Sequence, residues 1–89
     1  MEVDSLRNQE SGGRLTPTRA RELCSVLERV GFEETRHRGG HACYQHEDGR
    51  RTEIPFHGDD EIGVDLLKRI LRDVRLSRQE YLRLLREKT

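Results

Sequence analysis

Between residues 32 and 56 the chain carries glycine at two places only, Gly39-Gly40 and Gly49. Glycine is the residue that frees the backbone for bends, so these two places act as punctuation. They divide the segment into three stretches of strand length: Phe32 to Arg38, His41 to His46, and Arg50 to Phe56. Glu47-Asp48-Gly49 has the signature of a hairpin turn, and Pro55 with His57-Gly58 closes the third stretch. Strand side chains alternate, so Ala42 and Tyr44 share one face of the middle strand while His41 and Cys43 share the other.

Helical patterns stand on both sides of these strands. Upstream, Ala20, Leu23, Cys24, Leu27 and Val30 recur at helical spacing and make one apolar face. Thr16-Pro17-Thr18 supplies the N-cap candidate, and Gly31 stands where a helix needs a residue of positive φ to stop. Downstream, the acidic Gly58-Asp59-Asp60-Glu61 leads into a second helix marked by Val64, Leu66, Leu67, Ile70, Leu71 and Val74. Ser77-Arg78-Gln79-Glu80 is a capping box, with Leu76 and Tyr81 as its hydrophobic staple, and it opens a short third helix. The order α-β-β-β-α-α predicts a two-layer α+β domain with helices on one face of an antiparallel sheet. It occupies residues 16–89. Residues 1–15 are polar and aperiodic and are expected to form a flexible extension.

Composition matters here because it limits the core. Of 89 residues, 31% are hydrophobic and 38% charged, so the domain has little apolar surface to spare, and a covering partner would add stability. The 17 basic and 17 acidic residues cancel, which argues against nucleic-acid binding by bulk charge alone. The distribution is uneven. Arg36, Arg38, Arg50 and Arg51 face only Glu47 and Asp48 in their window, and all four histidines lie in or just beyond it. The two C-terminal helices are also basic. Cys24 and Cys43 have no paired spacing and suit a reducing compartment. No stretch is long and apolar enough for a signal peptide or membrane span, so a soluble cytoplasmic protein is expected.

His41 is the first candidate for chemistry, since imidazole titrates near neutral pH and suits general acid–base work. Gly39 and Gly40 would let an anionic backbone approach it closely, and Arg36, Arg38, Arg50 and Arg51 would contact phosphate without reading sequence. The plain alternatives are a strand histidine without function and a row of arginines that solvates a sheet edge. A metal site built from His37, His41, Cys43 and His46 is disfavoured, because strand alternation sends these side chains to both faces.

Ordered along the chain, these residues resemble a known family. LCSVLERVGF from Leu23 to Phe32, Arg38-Gly39-Gly40-His41 with Tyr44, and His46-Glu47-Asp48-Gly49-Arg50-Arg51 are similar to the HicA toxins of bacterial and archaeal toxin–antitoxin pairs. Ile54-Pro55, His57-Gly58, Glu61-Ile62, Leu67 and Ile70-Leu71 extend the likeness over about three quarters of the chain. The resemblance implies a fold like a double-stranded-RNA-binding domain, α-β-β-β-α, here with a short extra C-terminal helix. It implies a ribonuclease that cleaves mRNA with a single histidine, without a metal or other cofactor, and that is held inactive by a HicB-like antitoxin protein. His41 matches the family histidine. The family pattern at this place is Gly-Ser-His, and here Gly40 replaces the serine. A non-catalytic RNA-binding module of the same fold is the alternative: it needs the basic surface but not the histidine.

Overall fold

The computed structural model describes residues 14–56 and 61–87. The expected extension up to residue 13, His57, Gly58-Asp59-Asp60 and the last two residues lie outside the described residues. Leu15, expected at the end of the extension, is partly buried against the core.

The first helix, α1, runs from Ala20 to Arg29 and buries Ala20, Leu23, Cys24, Val26 and Leu27. Its start differs from expectation. Thr18 and Arg19 form a two-residue strand, β1, and Arg19 holds the N-cap position without a side-chain capping bond. Thr18 is instead paired with Ile62, and Arg19 with Glu61, in an antiparallel ribbon with β5 (Glu61–Ile62). The ribbon gives the backbone of both segments hydrogen-bond partners while burying Ile62 and Thr18. At the other end of α1 the chain stops as the sequence predicts. Gly31 takes φ 101°, its N–H donates to the Glu28 carbonyl, and the Phe32 N–H donates to the Leu27 carbonyl. These two bonds make a Schellman closure. Gly31 is required twice over, because a Cβ there would stand 2.8 Å from His46 Nε2.

Three strands follow: β2 (Glu33–Arg38), β3 (His41–Gln45) and β4 (Arg51–Pro55), antiparallel in the order β2-β3-β4. The β2–β3 turn is Gly39-Gly40, with φ 56° and 83°. Positive φ at both central residues is what a two-residue type I′ hairpin needs, and only glycine takes it without strain. In the second turn Gly49 has φ 103°, and the His46 N–H donates to the Arg50 carbonyl at 2.8 Å. The register is regular between β3 and β4. Between β2 and β3 it shifts at Thr35, where one extra residue is accommodated between the Glu34–Tyr44 and Arg36–Cys43 pairs.

The sheet has one buried and one open face. Ala42, Tyr44, Thr52 and Ile54 point inward, and their alternates point out. The inward set packs with α1 and with α2 (Val64–Val74), whose Leu67, Ile70, Leu71 and Val74 are buried in the same core. Burying each such aliphatic side chain is worth about 1.5–3 kcal/mol. α2 ends with Arg75 in the left-handed conformation, φ 57°. The short α3 (Arg78–Arg86) is capped as predicted: the Glu80 N–H donates to Ser77 Oγ at 3.0 Å, and Tyr81 is buried. Its far end is tied to α1 by Arg29, whose guanidinium donates to the Leu84 carbonyl at 2.6 Å and to the Glu87 carbonyl at 3.3 Å. The central order α-β-β-β-α-α and the two-layer α+β arrangement agree with expectation. The β1–β5 ribbon is the addition.

Candidate functional site

The register places the candidate residues in rows across the open face. Arg38, His41 and Pro55 stand side by side in one row. The next row is Arg36, Cys43 and Glu53, and the third is Glu33, Gln45 and Arg51. Successive rows on one face are about 7 Å apart, since a strand rises about 3.4 Å per residue. The Gly39-Gly40 turn is the reason Arg38 and His41 are neighbours, because a two-residue hairpin sets its flanking residues opposite each other. His41 and both β2 arginines are exposed. Among the described residues, the side chains of Arg36, Arg38, His41 and Arg51 make no hydrogen bond or ion pair.

A groove of about 660 Å³ runs along this face beyond the His41 row. Arg36, Cys43, Gln45, Arg51 and Glu53 line it from the sheet, and Arg69 lines it from α2. Cys43 Sγ is 3.8 Å from Glu53 Oε2, and Thr35 Oγ1 donates to the Cys43 carbonyl at 3.4 Å. At the α2 side Thr52 Oγ1 donates to Asp73 at 2.9 Å, and Asp73 also faces Arg69 at 3.9 Å. Sequence reasoning did not single out Arg69. It lies on the polar side of α2, and helical periodicity shows that side to be exposed without showing which strand it borders.

Arg50 is placed apart from the other three arginines. Its Nε lies 2.9 Å from Asp48 Oδ2, its Nη1 donates to the Val74 carbonyl at 2.5 Å, and its guanidinium carbon sits 5.1 Å from the centre of the Phe32 ring. This side chain clamps the β3–β4 turn onto the end of α2. The Arg50 hydrogen bond holds the Asp48 carboxyl below the usual range. His46 completes the clamp: its ring meets Phe32 edge-on at 5.1 Å, and its Nδ1 accepts from the Asp48 N–H at 3.1 Å.

The histidines are distributed over different surroundings. His37 lies on the helix-facing side of β2, paired with Ala42, in contact with Glu34 at 3.0 Å and edge-on to Phe56 at 5.6 Å. His46 is in the turn, and His41 with Cys43 is on the open face. Among the described residues no three His, Cys, Asp or Glu side chains converge as metal ligands would. Cys24 is buried, and desolvation pushes its thiol above the usual range. Burial likewise pushes up the Tyr44 phenol, which donates to Glu28 at 3.3 Å. The two therefore stay protonated at neutral pH and serve the core. No helix among the described residues is long and apolar enough to cross a membrane.

What the open face offers chemically is one exposed imidazole at the end of a hairpin, guanidinium groups in the same and following rows, and space for an extended polyanion. No curated protein matches the chain. Residues 20–76 match the family model described as the HicA toxin of bacterial toxin-antitoxin, and this span holds all three strands of the sheet, the Gly39-Gly40 turn and His41. It covers well over half of the chain, so the chain belongs to the HicA toxin family.

Proposed function

We propose that this toxin is an endoribonuclease that cleaves mRNA in the cytoplasm without a metal, using His41. The observation that carries the reading is the row Arg38–His41 at the β2–β3 hairpin, set by the two-residue turn. RNA supplies its own nucleophile. His41 takes the proton from a 2′-OH, the oxygen attacks the adjacent phosphorus, and the 5′-oxygen leaves with a proton returned by His41 or by water. The product is a 2′,3′-cyclic phosphate and a free 5′-hydroxyl. Arg38 in the same row steadies the negative charge that builds on the phosphoryl oxygens, and Arg36 and Arg51 hold flanking phosphates. Gly39 and Gly40 leave room above the turn for the RNA backbone. The Nε and Nη1 donors of Arg50 are already engaged with Asp48 and Val74, so its main contribution is to hold the turn rather than the RNA. A HicB-like antitoxin protein silences the activity, and a partner seated over the His41 row would do so directly.

The test is cleavage of a labelled RNA by the purified chain. General acid–base catalysis contributes roughly 10²–10⁴-fold, so His41→Ala should lose about that much. EDTA should leave the rate unchanged, and a 2′-deoxy substitution at the cut site should abolish cleavage there. Cleavage by His41→Ala at the wild-type rate refutes the assignment. RNA binding with no cleavage by either protein would leave the non-catalytic binding module.

A further inference from the structure

β2 is an edge strand: it pairs with β3 on one side, and among the described residues no strand pairs with the other. All six of its residues are exposed. Charge on an edge commonly deters pairing with other chains, but the order of the charges decides against which partner. Reading Glu33-Glu34-Thr35-Arg36-His37-Arg38, the acids come first and the bases last. Two copies laid antiparallel in full overlap set Glu33 opposite Arg38, Glu34 opposite His37, and Thr35 opposite Arg36. No other antiparallel register pairs all six residues. A parallel alignment in the same overlap would set like against like.

The bulge supplies the second part of the argument. Residues directly opposite each other in a sheet point to the same face. In a regular strand Glu33 and Arg38, five residues apart, point to opposite faces and cannot meet across a two-fold axis. The extra residue at Thr35 resets the alternation. Glu33 pairs with Gln45 and Arg38 with His41, so both lie on the open face. Glu34 pairs with Tyr44 and His37 with Ala42, so both lie on the helix face. The bulge thus matches the faces in the register that sets both acids opposite basic residues, Glu33 against Arg38 and Glu34 against His37, while Arg36 meets the neutral Thr35.

We infer that β2 is a self-pairing edge, and that two copies of this chain join through it into a dimer with a continuous six-stranded antiparallel sheet. The pairing is isologous, each copy giving and receiving the same contacts. It places the His41 rows of both copies on one shared open face. Its attraction rests on exposed charge pairs, so salt weakens it.

Sedimentation of the full chain at low ionic strength tests this. A shift from a 10.5 kDa monomer to a dimer with rising concentration, reversed by added salt, is expected. Glu33→Arg/Glu34→Arg makes the edge wholly basic, and Arg36→Glu/Arg38→Glu makes it mostly acidic. Each variant alone should stay monomeric, and an equimolar mixture should dimerise again. Where a double variant fails to fold by circular dichroism, the single reversals Glu33→Arg and Arg38→Glu, mixed in the same way, replace it. A wild-type chain that remains monomeric at its highest soluble concentration and low salt overturns the proposal. So does a reversed variant that dimerises alone as well as wild type does.

Discussion

Arg50 sits between the Asp48 carboxylate, the Val74 carbonyl and the Phe32 ring, so removing its guanidinium leaves an acceptor at the end of α2 without its donor. Arg50→Ala is expected to lower unfolding stability by about 1–3 kcal/mol in urea titrations. Arg51→Ala, with no partner to lose among the described residues, should change stability by less than about 0.5 kcal/mol and instead weaken RNA binding. The two neighbours therefore separate by readout. The same clamp gives a pH signature. The folded Asp48 carboxyl sits below its usual value, so it adds stability above the unfolded value of about 3.9 and loses it as pH falls through the lower folded value. Asp48→Asn should flatten the dependence of stability on pH in that acidic window and leave it unchanged near neutrality. At the hairpin, Gly40 has φ 83°, where a side chain is strained. Gly40→Ser is expected to destabilise by about 1 kcal/mol. An Arg50 neighbour pair that loses equal stability on either substitution would contradict the division of roles.

The C-terminal ends of α1 and α2 are closed by the same pair of backbone hydrogen bonds, and one of them is suboptimal. α2 closes with the Leu76 N–H donating to the Leu71 carbonyl and the Arg75 N–H to the Arg72 carbonyl, the same pattern that ends α1. In α1 the left-handed residue is Gly31; in α2 it is Arg75, where Cβ crowds the backbone. Arg75→Gly should therefore stabilise the protein by about 0.5–1 kcal/mol, measurable as a raised urea midpoint at unchanged slope. The ends also show what the sequence could reveal. Gly31 and the Ser77 capping box were legible because each is a residue type tied to one backbone geometry. The β1–β5 ribbon was not. Two residues per strand carry no periodicity, and Thr18 suits a cap as well as a strand. The bulge at Thr35 left no mark either, since Glu-Thr-Arg reads as ordinary strand; only the pairing with β3 reveals that one residue is extra. The three main strands were legible through their glycines, and His41 through the glycine pair before it. Which arginines face His41 was settled by register and by the Asp48 turn, both tertiary facts.

At the scale of the molecule, a formal charge of zero hides a segregated surface. The open face presents Arg36, Arg38 and Arg51 with Arg69 at the groove wall, while Lys68, Arg72, Arg78, Arg83 and Arg86 lie exposed on the two C-terminal helices. The sequence shows both basic regions and cannot rank them, because it does not show that the sheet separates them. Salt dependence does rank them. Binding of single-stranded RNA releases counterions, and log K falls with log salt at a slope of about −0.7 per phosphate neutralised. Three open-face arginines alone predict a slope of about −2. Engagement of the helix bases as well would make it markedly steeper. On this view Arg36→Ala, Arg38→Ala and Arg51→Ala each make the slope shallower by about 0.7, and Arg72→Ala or Arg83→Ala leaves it unchanged. The measurement uses His41→Ala protein, expected to cleave about 10²–10⁴-fold more slowly, so that RNA stays intact during titration. A slope that responds to the helix arginines and not to the sheet arginines would move the RNA to the other side of the molecule and leave His41 without a substrate.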